Sequence, residues 1–164
     1  MADNEQSRED FLALVDEVCE ELGYPPNDDT PEGEEALAME MELDGIPFSV
    51  VHDLARAPER ILIECRFGPS PAEHAAQVLS RLLQFNRGFT EAGNAAFGIE
   101  AESGEVIYTH ACDLAGTNGR VLLGTMTEMG WQARQWRASY FLDPESPARE
   151  DAPPGFSMHL GSLA

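Results

Sequence analysis

The sequence predicts an α+β fold, a twisted antiparallel sheet of about five strands with three helices in the order α-β-β-β-α-β-β-α. Apolar residues recur at helical spacing in three separate segments. Five short segments between them alternate apolar and polar residues with the period of two that is typical of strands. Asp44-Gly45 joins two of these segments, and this pair is a strong short-range signal for a β-hairpin.

The first helix is predicted to begin at Ser7, as an N-cap with Asp10 three residues later, and to end at Gly23. Its apolar residues at helical spacing are Phe11, Leu14, Val15, Val18 and Leu22. The following segment, residues 25–35, is polar and rich in Pro, which predicts an exposed loop.

Three strands are expected next, and they should form an antiparallel meander. The first has Leu37, Met39, Met41 and Leu43 on one face, the second follows Asp44-Gly45 over residues 46–51, and the third runs from Arg60 to Phe67. Large apolar side chains occupy one face of these strands almost without interruption. Adaptable Met side chains on such a surface suit the binding of an irregular peptide, although the same pattern also fits strands that are simply covered by helices.

The second helix is predicted from Ser70-Pro71-Ala72-Glu73, which reads as a capping box with Pro at the first helical position. Its apolar residues cover more than one stripe, so one part could pack on the sheet and another against a second copy of the chain. Residues 97–110 are predicted to form a hairpin that turns at Ser103-Gly104. A last helix, with apolar residues from Leu122 to Tyr140, should close before Asp143-Pro144.

Length and composition limit the possibilities further. The 164 residues fit one domain, expected over residues 1–142, and residues 143–164 are expected to form a flexible tail rich in Pro and acidic residues. The formal net charge of −20 argues against nucleic acid and anionic membranes as partners. The sequence has neither an apolar run near 18 residues nor a signal-like N-terminus, so a cytoplasmic protein is expected.

No chemical site emerges from the pattern. The histidines lack the spacing of metal ligands, and the three cysteines lack any Cys-x-x-Cys pairing, so no metal and no cofactor are expected. A catalytic pair of Cys65 and His52 is conceivable, but a cysteine in such a strand is more often a core residue. We therefore expect a protein without enzymatic activity.

The order and spacing of the elements resemble the class I type III secretion chaperones of the Tir chaperone (CesT) family over roughly residues 8–142. The segments that carry the resemblance are the first helix from Phe11 to Gly23, the hairpin Leu43-Asp44-Gly45-Ile46-Pro47-Phe48, the third strand followed by Gly68-Pro69, the stretch Leu82-Leu83-Gln84-Phe85-Asn86, and the last helix around Trp136. The long acidic loop and the tail depart from the family pattern.

The resemblance implies a cytoplasmic bacterial homodimer that binds the N-terminal chaperone-binding segment of a secreted effector and keeps it non-globular. The secretion apparatus is a further partner that it leaves open. The effector-binding residues expected on this basis are Val15, Cys19, Leu22, Leu37, Met39, Met41, Phe48 and Val50. The expected dimer interface consists of Leu79, Leu82, Leu83, Phe85 and Asn86.

Two other classes of protein stay open. An acidic regulatory or inhibitory protein could dock a basic partner on the negative N-terminal part, where 16 of the 30 acidic residues lie within the first 44 positions. High salt would weaken such docking steeply, whereas an apolar groove should tolerate it. A small α+β enzyme is the third candidate.

Overall fold

A computed structural model describes residues 2–25, 35–89 and 93–142. It contains one antiparallel sheet with the strand order β1-β2-β3-β5-β4 and three helices, which confirms the predicted fold and element order. The elements are α1 (Ala2–Leu22), β1 (Ala36–Leu43), β2 (Ile46–Asp53), β3 (Arg60–Pro69), α2 (Ala75–Phe89), β4 (Ala95–Ile99), β5 (Glu105–Asp113) and α3 (Gly119–Ser139). Short 3₁₀ turns, Ala72–His74 and Leu114–Gly116, precede α2 and α3.

The hairpin between β1 and β2 forms as predicted. Asp44 and Gly45 both have positive φ angles, 52° and 75°, and Leu43 lies opposite Ile46. Two successive residues in the left-handed region define a type I′ turn, whose twist matches that of the flanking strands. This turn fixes the register of β1, and hence the face on which each of its side chains lies.

All three helices pack on the same face of the sheet. Phe11 of α1 stacks on His52, Phe85 of α2 lies 6.1 Å from Phe97, and Trp136 of α3 lies 6.2 Å from Phe67, measured between ring centroids. On β2 and β3 the side chains of this face are buried, as the alternating apolar pattern requires, whereas on the edge strand β1 Met39, Met41 and Leu43 are half-buried. On the opposite face, which includes Glu40 and Glu64, side chains are half-buried or exposed.

The guanidinium of Arg137 fastens the end of α3 to the sheet. Its nitrogens donate to three backbone carbonyls, those of Phe67 (2.9 Å), Arg66 (3.3 Å) and Gly45 (3.3 Å). The backbone pairing of β2 with β3 ends at Phe48 and Cys65, and the residue before it, Pro47, has no N–H to donate. Arg137 thus supplies N–H donors to these carbonyls at the point where Pro47 of β2 has none.

Two predicted helix starts were wrong. Ser7 lies within α1 and not at its start, and its hydroxyl donates to the Pro58 carbonyl in the loop before β3 instead of capping the helix. Ser70 makes no cap; its Oγ lacks a hydrogen-bond partner among the described residues, and a 3₁₀ turn opens the helical segment. The last helix ends at Ser139, since Tyr140 adopts a left-handed conformation, φ 51°. Residues 26–34 and the tail, 143–164, lie outside the described residues.

Candidate functional site: an apolar groove at the edge of the sheet

A groove of about 700 Å³ runs between α1 and β1. Its lining residues are Val15, Val18, Cys19, Leu22, Tyr24, Pro25, Met39, Glu40, Met41, Glu42 and Leu43. Most of these side chains are apolar, and several are accessible: Leu22 is 37% exposed, Tyr24 is 67% exposed, and Met39 and Met41 are half-buried. The groove therefore offers apolar surface that α1 and β1 do not bury between themselves.

The secondary structure of its two walls positions these side chains. Val15, Cys19 and Leu22 follow one another at spacings of four and three, which places them on one face of α1. Met39, Met41 and Leu43 alternate along β1 and lie on the face that the helices cover. The groove stays open because α3 packs mainly on the central strand β3 and leaves β1 at the margin.

The β1 strand also has a free backbone edge. In the type I′ hairpin, Leu43 and Ile46 form a hydrogen-bonded pair, and bonded pairs then alternate with non-bonded pairs along β1. The backbone N–H and C=O groups of Ala38, Glu40 and Glu42 accordingly point away from β2. Among the described strands β1 is an edge strand, so these groups are available to pair with another strand.

Of the eight predicted effector-binding residues, the structure places five in this groove: Val15, Cys19, Leu22, Met39 and Met41. The other three, Leu37, Phe48 and Val50, have the same orientation but are at most 3% exposed in the core. Phe48, for example, lies under α3, close to Gly130. The role of all eight residues in binding stays a prediction.

Sequence reasoning missed six of the groove residues, Val18, Tyr24, Pro25, Glu40, Glu42 and Leu43. Leu43 continues the period of two that identified Met39 and Met41, so that signal was available. Tyr24 and Pro25 follow the end of the first helix, where periodicity no longer applies. Their position depends on how the chain turns after Gly23, which has a φ of 75°.

The predicted interface residues on α2 divide into two sets. Leu79 and Leu83 are exposed, by 37% and 68%, on the side of the helix that faces away from the sheet. Leu82 and Phe85 are buried against the sheet in the same chain. These two therefore have a core role within the single chain, and the predicted contribution of all five residues to a dimer is untested.

Asn86 attaches α2 to strand β4. Its amide nitrogen donates to the backbone carbonyl of Phe97 (2.9 Å), and its amide oxygen accepts from the backbone N–H of Phe97 (2.7 Å). The backbone N–H and C=O groups of Phe97 point away from β5. The Asn86 side chain thus satisfies both groups, as a neighbouring strand would.

Buried polar groups elsewhere have structural roles. The Ser7 hydroxyl lies 2.9 Å from Nε2 of His52 and donates to the Pro58 carbonyl, while Nδ1 of His52 lies 3.0 Å from the Arg60 carbonyl. His52 is fully buried, so this network ties α1 to the sheet and has no access for a substrate. Burial raises the pKa of the Cys65 thiol to about 12, which keeps it protonated and unreactive near neutral pH.

The described residues lack both a metal site and a membrane-spanning helix. No group of three or more His, Cys, Asp or Glu side chains within the described ranges is arranged to hold a metal ion. None of the helices in that part of the chain is long and apolar enough to cross a membrane.

The chain belongs to the Tir chaperone protein (CesT) family, whose model matches residues 32–137. The resemblance found in the sequence is thereby confirmed. No curated protein matches the chain by sequence.

Solved structures with the same fold share little sequence with the chain. A chain of the ExsC–ExsE complex is 18% identical, with a TM-score of 0.61, over 79% of this chain and 92% of that one. A chain of the HopA1–SchA chaperone–effector complex is also 18% identical, with a TM-score of 0.59, over 81% and 97%. A chain from the structure of the Yersinia pestis type III secretion chaperone SycH, in complex with a stable fragment of YscM2, is 16% identical. Its TM-score is 0.55, and the match covers 76% of this chain and 98% of that one.

Proposed function

We propose that this protein is a cytoplasmic type III secretion chaperone that holds the N-terminal chaperone-binding segment of a secreted effector in the groove between α1 and β1. The observation that carries the proposal is the combination of an accessible apolar groove with a free strand edge along the same element, β1. One solved structure with this fold, that of HopA1 and SchA, is a chaperone–effector complex, which supports the same function.

The segment would bind in extended form as an additional strand beside β1. Its backbone would pair with Ala38, Glu40 and Glu42, while every second side chain would enter the groove between Leu22 and Met41. Backbone pairing is insensitive to sequence, and Met and Leu side chains adapt to different shapes. Such a site fits a client that is recognised as an unfolded stretch and not as a folded surface.

Holding of this kind requires no nucleotide and no chemistry. Ordering each residue of an unfolded segment costs roughly 1–2 kcal/mol of backbone entropy. Strand pairing and burial of apolar area, at about 25 cal/mol per Å², offset that cost only while the segment stays in the groove. We therefore propose a non-enzymatic protein without a cofactor, from which the secretion apparatus removes the client.

A homodimer is part of the proposal. Leu79 and Leu83 give α2 an exposed apolar stripe beside the residues that pack on the sheet. Large apolar side chains on one helix face are suited to a symmetric contact with the same helix of a second copy. Two copies would present two grooves to one client segment.

The test is co-expression with the N-terminal fragment of a candidate effector, followed by light scattering of the purified complex. We expect two chaperone chains per effector fragment, in a complex that survives high salt. Met41→Glu should weaken binding by at least tenfold, because a carboxylate would lose its hydration when the segment covers it. Ile99→Glu is the matched control, since Ile99 is 48% exposed on β4, the opposite edge strand.

Equal affinities for Met41→Glu and the unaltered protein would remove this groove from the site. Binding that disappears at high salt while Met41→Glu has no effect would instead favour the acidic docking protein.

A further inference from the structure

Two carboxylates lie on the free strand beside the groove without a cationic partner. Glu40 and Glu42 are exposed on the uncovered face of the sheet, and neither takes part in an ion pair within the described part of the chain. Their cross-strand neighbours on β2 are uncharged, Ser49 and Pro47. The negative charge at this edge is therefore uncompensated in the free protein.

A strand added to this edge would meet two chemically different rows. Residues opposite Met39 and Met41 would point to the helix-covered face and enter the apolar groove. Residues opposite Glu40 and Glu42 would point to the uncovered face, with Cβ atoms about 4.5–5.5 Å from those of the glutamates. The two rows alternate because successive side chains of a strand lie on opposite faces.

We infer, on the basis of the proposed function, that the preferred client segment alternates apolar residues with Arg or Lys. The apolar residues would fill the groove, and the basic ones would pair with Glu40 and Glu42. A cross-strand pair of opposite charges contributes about 0.2–1 kcal/mol, so two such pairs correspond to a preference of about 2- to 30-fold over a neutral segment. The same geometry disfavours acidic residues at those positions.

Glu64, another carboxylate of this face, does not supply the same preference. Glu64 lies in the same cross-strand row as Glu40 and Ser49, but on the central strand β3. With strands about 4.8 Å apart, it is roughly 15 Å from an added strand, beyond the Debye length at physiological salt. Glu64→Gln thus removes one carboxylate from the same face without touching the proposed contacts.

The experiment uses three labelled synthetic peptides of about nine residues, the length of β1 with a small margin. All have Leu or Ile at alternate positions, and the intervening positions are Arg and Lys, Ser and Thr, or Glu. Fluorescence anisotropy near physiological salt measures their affinities for the full-length protein. We expect the order basic, neutral, acidic, with the basic peptide about 2- to 30-fold tighter than the neutral one.

The variant Glu40→Gln with Glu42→Gln should lower the affinity for the basic peptide to that for the neutral one. Its affinity for the neutral peptide should be unchanged, and Glu64→Gln should bind all three peptides as the unaltered protein does. Equal affinities for basic and neutral peptides, or a loss as large in Glu64→Gln as in the double variant, would overturn the inference and leave the groove intact. If Met41→Glu binds the neutral peptide as tightly as the unaltered protein, the proposed function itself fails.

Discussion

Replacement of Asn86 by Ala should destabilise the protein by about 1–3 kcal/mol. The change removes two hydrogen bonds, 2.9 Å and 2.7 Å long, to the backbone of Phe97. Each bond of this kind contributes roughly 0.5–1.5 kcal/mol, and the loss is larger where water does not replace the partner. Phe97 is only 7% exposed, so replacement by water is restricted.

Urea unfolding followed by the intrinsic fluorescence of Trp131 and the buried Trp136 measures the change, at one fixed protein concentration because subunit association would also contribute. Gln84→Ala is the matched control: it also replaces an amide by a methyl group on α2, but Gln84 is exposed and contacts Arg81 only at the surface. We expect less than about 0.5 kcal/mol for the control. The same small value for Asn86→Ala would refute the idea that this side chain replaces a neighbouring strand.

Three further predictions concern assembly, packing and pH. Leu83→Asp should give a folded monomer in sedimentation, because Leu83 is 68% exposed in the single chain; an unaltered dimer would remove this face of α2 from the interface. Gly119→Ala should lower the free energy of unfolding by about 1–3 kcal/mol, since the new Cβ would lie 2.8 Å from the backbone of Glu17, whereas Gly124→Ala, with open space around it, should not destabilise α3. Burial raises the pKa of both Cys65 and Tyr108 to about 12. The stability that their buried, protonated forms contribute is therefore present below about pH 9 and is lost as the pH rises toward 12. Equal urea midpoints at about pH 8 and about pH 11 would contradict this.

The order of the elements could be predicted because it depends on burial of one face. The spacing of Leu122, Met126, Met129 and Trp136 matches the buried side of α3, and the alternation of Ile61, Ile63 and Cys65 matches the buried face of β3. Helix starts were less predictable. Ser7 and Ser70 have the residue type of an N-cap, but the hydroxyl of Ser7 bonds with groups some 50 positions away, and no local pattern contains that information.

The groove could be predicted in part, for a related reason. Periodicity identified the face of β1 and α1 correctly, so five groove residues were found. It does not reveal how far α3 extends over the sheet, and for that reason Phe48 and Val50, on the same face as Met41, were expected in a site and lie in the core. How much of a strand the helices bury depends on packing between elements that are distant in sequence.

In the proposed binding mode, the three carbonyls held by Arg137 have a consequence for the affinity of client binding. Together with the tight turn at Asp44-Gly45 and the contact of Arg134 with Asp44 (3.7 Å), they hold the hairpin of β1 and β2 against α3 and β3 before a client would bind. Almost the whole ordering cost then falls on the client, and little on the chaperone. Lys at this position could not contact the three carbonyls with the same planar fork. A hairpin that was not held in this way would itself have to be ordered on binding, and this cost would weaken the complex.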